Sequence, residues 1–256
     1  MKSFQKIGII GSGNVAVQLT SALVAIGIKP IVCFGRNTTS GTEFSKLFDV
    51  PFTKDLSDLK GLDVIIACVS DDALATLIPQ LASICPVLST SGTVDVCAFE
   101  HQFPIGVMYP LQTMTKTAAL PFQSIPLFIE ASDSTFLAEI SIFANKLADT
   151  VIEMNAEQRK KLHVVGVFVN NFTNHLLDLM QDFSSENQLD FQWFAPLLNE
   201  TVAKALKNPA KNNQTGPAKR NDQATIQAHE AQLEEPLLSI YRTITKSIQQ
   251  RFQTND

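Results

Sequence analysis

Residues 6–16 read KIGIIGSGNVA, and their reading decides the fold. A short β-branched run ends at a glycine-rich turn, and a helical pattern follows as far as Gly27. Residues 31–34 (IVCF) then read as a second buried strand. The segment 6–34 is therefore a βαβ crossover of about 30 residues, the usual length, and its two strands should be parallel.

The alternation continues outward from this unit. Ser40 and Glu43 have capping-box spacing for the next helix. Residues 63–69 (DVIIACV) are apolar on both faces, as in the middle of a parallel sheet, and Ser70, Asp71 and Asp72 supply N-cap chemistry for a helix that Pro79 should shorten or kink. Further strands are expected at 87–90, 105–108, 125–130 and 150–153, with Asp133 capping the helix before the last of them.

At Asn155 the texture changes. Asn155 and Gln158 form a capping box, and the pattern after them is helical for about thirty residues. A second long helix fits 191–206, a polar loop 208–220, and a last helix 223–252, broken at Pro236. These readings give an α/β class: a doubly wound parallel sheet over 1–154, followed by an all-helical domain over 155–256.

Composition bounds the function. The chain has 256 residues, 45% of them apolar and 18% charged, with 11 Gly and 12 Pro, which excludes a disordered or collagen-like chain. A net charge of −5, with neither half basic, gives no reason to expect a nucleic-acid partner. The four cysteines, Cys33, Cys68, Cys85 and Cys97, lie far apart without histidine partners. That pattern suggests no metal site and buried thiols in a reducing compartment. The apolar N-terminus is interrupted by Ser12, Gly13, Asn14 and Gln18, and there is no run of about 20 apolar residues, so a cytoplasmic protein without a membrane partner is expected.

Gly11, Ser12, Gly13, Asn14, Val15 and Ala16 fit the dinucleotide fingerprint, with Ala in the third glycine place. Gly11 permits a tight turn. Gly13 lets the backbone approach a pyrophosphate, and the helix starting near Asn14 offers free N–H groups and a positive dipole end. A purely structural turn is the alternative reading. At the end of the second strand, where an NAD site places a carboxylate, the chain has Arg36 and Asn37. A guanidinium there can pair a 2′-phosphate, which selects NADP; a solvated loop arginine is the bland alternative.

Two more strand ends, at Ser70 and Ser91, face the same crevice, although helix capping or turn formation explains each equally well. Residues 109–113 (YPLQT) can line it too, or simply form a proline turn. In the helical part, His163, Asn170 and Asn174 fall on one face of the first helix, alongside Asn171 and His175. They are either satisfied core groups or substrate contacts, and His163 can exchange a proton near neutral pH. Residues 215–222 (TGPAKRND) end in a cap, Asp222. They leave Arg220 unexplained, with Thr225 and His229 on one face beyond; Arg220 and His229 either bind a carboxylate or phosphate or serve structure or a subunit contact.

GIIGSGNVA with GRN at 35–37, KKLHVVGVFVNNFTNHL at 160–176 and TGPAKRNDQATIQAH at 215–229 together resemble the Rossmann-like oxidoreductases whose helical C-terminal domain has no assigned function. The N-terminal half is similar to the NADP-binding domain of deazaflavin-dependent NADP oxidoreductases and of pyrroline-5-carboxylate reductases. The resemblance implies a helical domain like that of 6-phosphogluconate dehydrogenase, a cleft between the domains and a homodimer built from the helices. Asn221 stands where the family usually has Gly. The lysine that β-hydroxyacid dehydrogenases carry four residues before an asparagine is absent, since Gly166 and Val167 precede Asn170 and Asn171. Pyrroline-5-carboxylate reductases have a Gly-Pro-Ala segment early in their helical domain, whereas here it lies late.

The function expected from these residues is hydride transfer between NADP(H) and a small polar substrate. His163, Asn171, Arg220 and His229 are the candidate catalytic residues. Gly11, Ser12, Gly13, Asn14, Val15, Arg36, Asn37, Ser70 and Ser91 are the cofactor-binding candidates. The rival is a non-catalytic NADP(H)-binding sensor or assembly protein that dimerises through its helical domain.

Overall fold

The computed structural model describes residues 4–117 and 120–253. The chain divides into two compact units, Met1–Asn171 and Phe172–Asp256.

In the first unit, strands β1 (Ile7–Ile10), β2 (Val32–Phe34), β3 (Phe52–Thr53), β4 (Val64–Ala67), β5 (Val87–Ser89), β6 (Ile105–Pro110), β7 (Leu127–Ala131) and β8 (Val151–Glu153) form one sheet, in the order β3-β2-β1-β4-β5-β6-β7-β8. Helices α1 (Asn14–Ala25), α2 (Thr38–Phe48), α3 (Asp71–Leu81) and α4 (Ser134–Ala144) connect strands, and α5 (Ala156–Gly166) follows β8. The order reverses direction at β1 and β4, which is the switch point where such sheets bind ligands.

Both faces of the sheet are covered. Ile7, Ile9, Val64 and Ile66 point into one core with Leu19, Leu23 and Phe143, while Ile10, Ile65 and Val87 point into the other with Leu74 and Ile78. This two-sided burial is why the central strands are continuously apolar rather than alternating.

Several details differ from the sequence expectation. The two-residue β3 has too few residues to give a pattern. β7 runs antiparallel to β6; the described residues of the 111–126 connection carry a 3₁₀ turn, Phe122–Ser124, and no crossover helix to return the chain parallel. α2 starts at Thr38 rather than at Ser40, capped by Asn37, whose Oδ1 accepts from the Ser40 N–H at 3.1 Å. α3 runs through Pro79 and ends at Leu81. Cys97 is exposed, whereas Cys33, Cys68 and Cys85 are buried.

The helical texture does begin at Asn155, with the capping box to Gln158 in place. Yet α5 is part of the first unit, held there by Arg159. Its buried guanidinium donates to Glu130 Oε2 at 2.5 Å, to the Met154 carbonyl at 2.6 Å and to the Val94 carbonyl.

One π-helical turn, Val167–Phe172, comes next in the chain. The second unit contains α6 (Thr173–Glu186), a 3₁₀ turn Phe191–Phe194, α7 (Ala195–Lys207), the single turns α8 (Ala210–Asn213) and α9 (Pro217–Arg220), α10 (Gln223–Glu230) and α11 (Leu237–Gln253). The polar stretch 208–220 thus holds two short helical turns. The last expected helix is two, separated by the Pro236 segment. Asn221 takes φ +56°, a left-handed conformation that Asn tolerates better than most non-glycine residues. None of the helices described is long and apolar enough to cross a membrane.

Candidate functional site

The fingerprint turn is built as its residues dictate. Gly11 closes β1 with φ +97°, and a Cβ there would lie 2.5 Å from the Cys68 carbonyl oxygen, so no other residue fits without strain. The Gly11 N–H donates to the Phe34 carbonyl at 2.8 Å, tying the turn to β2. Gly13 is different: its φ is −79°, it is the N-cap of α1, and nothing lies within 4 Å of where its Cβ would be. That open space above a helix N-terminus whose cap has no side-chain hydrogen bond is the cradle a pyrophosphate needs. Ala16 is fully buried in the third position, where only a small side chain allows helix and sheet to approach.

Ser12 Oγ donates to Ser40 Oγ at 2.8 Å, linking the fingerprint turn to α2. Arg36 is exposed just beyond β2 and has no side-chain partner among the described residues. Asn37 spends its oxygen on capping α2.

A cavity of about 370 Å³ lies over this turn. It is lined by Gly13, Asn14 and Val15 of the turn and α1, by Ser70 and Asp71 at the start of α3, and by Ser91, Thr93, Tyr109 and His163. Ser70 is the N-cap of α3 without a side-chain cap bond, so its hydroxyl is uncommitted to the helix. Ser91 Oγ accepts from the Thr93 N–H at 3.1 Å, and Thr93 Oγ1 donates to Asp71 Oδ2 at 2.6 Å, which locks the β5 loop onto the start of α3. Burial pushes the Cys68 thiol in this lining up to about 12, leaving it a neutral group.

A second cavity, of about 570 Å³, is also lined by Tyr109 and His163. Gln112, Thr113, Asn170 and Asn171 give it polar edges, and Leu111, Met114 and Val167 an apolar lining. The 3.6-residue period groups Asn174 with His163 and Asn170. The π turn inserts an extra residue into that repeat, and both Asn170 and Asn171 line the cavity, whereas Asn174 belongs to the second unit.

Tyr109 belongs to the 109–113 stretch that the sequence leaves open between lining the crevice and forming a proline turn, and it lines both cavities. It stands near the C-terminal end of β6, its ring against Gly92, where a Cβ would come within 2.9 Å of ring carbons. Its Oη lies 3.4 Å from His163 Nδ1. The signal available for it was its place at a strand's carboxyl end, where sheets of this kind bind ligands. Arg159 gave no signal at all.

In the second unit, Arg220 ends the single turn α9 and lies exposed near Asp222. Asp222 caps α10, and its carboxyl is held below the usual range by the Thr225 hydroxyl and N–H, with smaller contributions from Arg220 and His229. His229 Nδ1 lies 3.0 Å from Tyr241 Oη, the rings meeting edge to face.

Comparison with known proteins agrees with this architecture. Residues 6–98 match the NADP oxidoreductase, coenzyme F420-dependent family model, and residues 125–248 match a domain of unknown function, DUF2520. No curated protein matches the chain. Among solved structures, a provisionally assigned NADP oxidoreductase from Bacteroides fragilis is 30% identical, with a TM-score of 0.89 over 96% of this chain and 98% of that one. An imine reductase from Myxococcus stipitatus in complex with NADP+ is 12% identical, with a TM-score of 0.65 over 98% and 95%. A 1-pyrroline-5-carboxylate reductase from Streptococcus pyogenes is 14% identical, with a TM-score of 0.60 over 97% and 98%. The last two show the fold. By its likeness to the Bacteroides fragilis protein over nearly its whole length, and by its two matched domains, the chain belongs to the NADP oxidoreductase family that joins a Rossmann-like N-terminal domain to a DUF2520 domain.

Proposed function

We propose that this chain transfers hydride between NADP(H) and a small polar substrate. The observation that carries the reading is the 370 Å³ cavity, which runs from Gly13 at the helix N-terminus to the Tyr109–His163 pair. Residues 1–154 carry the nucleotide, and the helices from 155 onward serve substrate binding and dimerisation.

Gly11, Ser12, Gly13, Asn14 and Val15 hold the pyrophosphate through backbone N–H groups and the α1 dipole. Arg36, without a side-chain partner among the described residues, pairs the 2′-phosphate, with Asn37 beside it. Ser70 and Ser91 offer hydroxyls to the nicotinamide ribose. Bound NADPH would supply the hydride; the protein aligns the reactants and excludes water. His163 and Asn171 face the substrate in the second cavity, whose polar edge is carboxamide and hydroxyl rather than charged. In the second unit, Arg220 and His229 are the polar candidates for a substrate contact. The chain acts as a homodimer built from its helices.

Thermal-shift titration with NADP(H) and NAD(H) tests the reading. NADP(H) should raise the melting temperature far more than NAD(H), and Arg36→Asp should abolish the difference. Loss of one charged contact is worth roughly 2 kcal/mol, or about 30-fold in affinity. Equal shifts in the native protein would remove the 2′-phosphate assignment, and no shift with any nucleotide would remove the function.

A further inference from the structure

The nucleotide cavity and the cavity edged by Asn170 and Asn171 have two lining residues in common, Tyr109 and His163. One cavity carries the fingerprint turn and the other the carboxamide edge, so any reaction joining their contents takes place beside this pair. Resting on the NADP-dependent reading above, we propose that Tyr109 is the catalytic acid and base, its phenolic Oη exchanging a proton with the heteroatom of a C=O or C=N substrate, and that His163 relays that proton to solvent.

The surroundings select the tyrosine over the other titratable groups. Asp71 accepts from the Thr93 hydroxyl at 2.6 Å and serves the loop. Cys68 is deeply buried and lines the nucleotide cavity only. Tyr109 is half-buried and packed on Gly92 and Phe128, so its oxygen is positioned by β6 and not by a mobile chain. Its hydroxyl reaches His163 Nδ1 at 3.4 Å, and His163 is exposed on α5, open to water. Burial raises the phenol above its ordinary value, and the Asp71 carboxylate adds to this, so the group is protonated and able to donate at neutral pH.

In the reducing direction, the Tyr109 O–H bond breaks and an O–H or N–H bond forms on the substrate heteroatom, while the adjacent carbon accepts hydride from NADPH, the two-electron reductant. The phenolate is reprotonated from His163 Nδ1 as the other ring nitrogen takes up one proton from solvent, so the imidazole is neutral before and after and the net step consumes one solvent proton. Oxidation runs the same path backwards.

The chain has only two tyrosines, so protein labelled with [13Cζ]tyrosine gives two phenol signals, and Tyr109→Phe assigns them while keeping the ring packing. Each signal is titrated against pH in the free protein, with NADP+ and with NADPH. If Tyr109 stands at the reacting end of the nucleotide, the cationic nicotinamide of NADP+ should lower its midpoint by about one pH unit or more relative to NADPH, while Tyr241 stays put. Binding of both nucleotides by thermal shift, with the Tyr109 midpoint identical in the two complexes, overturns the proposal and leaves the NADP reading standing. If neither nucleotide binds, both fall.

Discussion

Tyr109 and His163, 54 positions apart in the chain, meet with Oη 3.4 Å from Nδ1 and ring centroids 6.4 Å apart. What lets the tyrosine reach that position is Gly92, whose missing side chain leaves room for the ring. Gly92→Ala would put a Cβ within 2.9 Å of two ring carbons, and one of them must move. The expected result is a folded protein whose Tyr109 phenol signal shifts and whose His163 ring signals change with it. Unchanged NMR signals for both residues would show that the ring is not held by this contact.

The two fingerprint glycines should fail in opposite ways. At Gly11 an added Cβ meets the Cys68 carbonyl in a left-handed conformation, so Gly11→Ala should lower unfolding free energy by roughly 1–3 kcal/mol in urea titrations. At Gly13 a Cβ meets nothing, so Gly13→Ala should leave stability within about 0.5 kcal/mol while weakening NADPH binding, because the methyl group occupies the space the phosphates need. Comparable stability loss in both variants would contradict the open cradle.

Arg159 is fully buried and satisfies Glu130 and two carbonyls at once. Arg159→Met fills much of the volume but leaves a partly buried carboxylate and those carbonyls without their donor. A loss of roughly 3–5 kcal/mol is expected by chemical denaturation. Glu130→Gln, which keeps an acceptor for the guanidinium, should cost less.

Three of the four thiols should be silent toward an aqueous thiol reagent. Burial raises Cys33, Cys68 and Cys85 to about 12, and all three are shielded from solvent, whereas Cys97 is exposed. Native protein should release one equivalent rapidly, and Cys97→Ser none. Denaturant should reveal the remainder.

The second unit exposes apolar side chains along α7 and its approach: Trp193 at 66%, Leu197 at 67% and Leu206 at 84% of their full surface. An apolar cavity of about 490 Å³ lies beside them, lined by Met180, Phe183, Phe191 and Leu198. Surface of this kind marks an interaction face. Sedimentation should give about twice the 28.1 kDa chain mass, and Leu197→Lys with Leu206→Lys should yield monomers. The chain's single tryptophan, Trp193, should then shift its emission to the red. A native monomer would remove the homodimer from the proposed function.

The sequence by itself determined the features that act over a few residues. The βαβ unit around Gly11 and Gly13, the caps at Asp133, Asn155 and Asp222, and the buried strands on both sides of the crossover follow from periodicity and from backbone hydrogen bonds closed within one turn. The tertiary structure alone decided what pairs across the chain. Tyr109 meets His163, Arg159 reaches Val94 over 65 positions, and β7 pairs antiparallel with β6. The π turn that brings both Asn170 and Asn171 to one cavity also escaped the 3.6-residue rule. Local rules specify which groups a segment presents. Which groups they face depends on free strand edges and on the phase of a helix after an irregular turn, and neither quantity is written in any short window of residues.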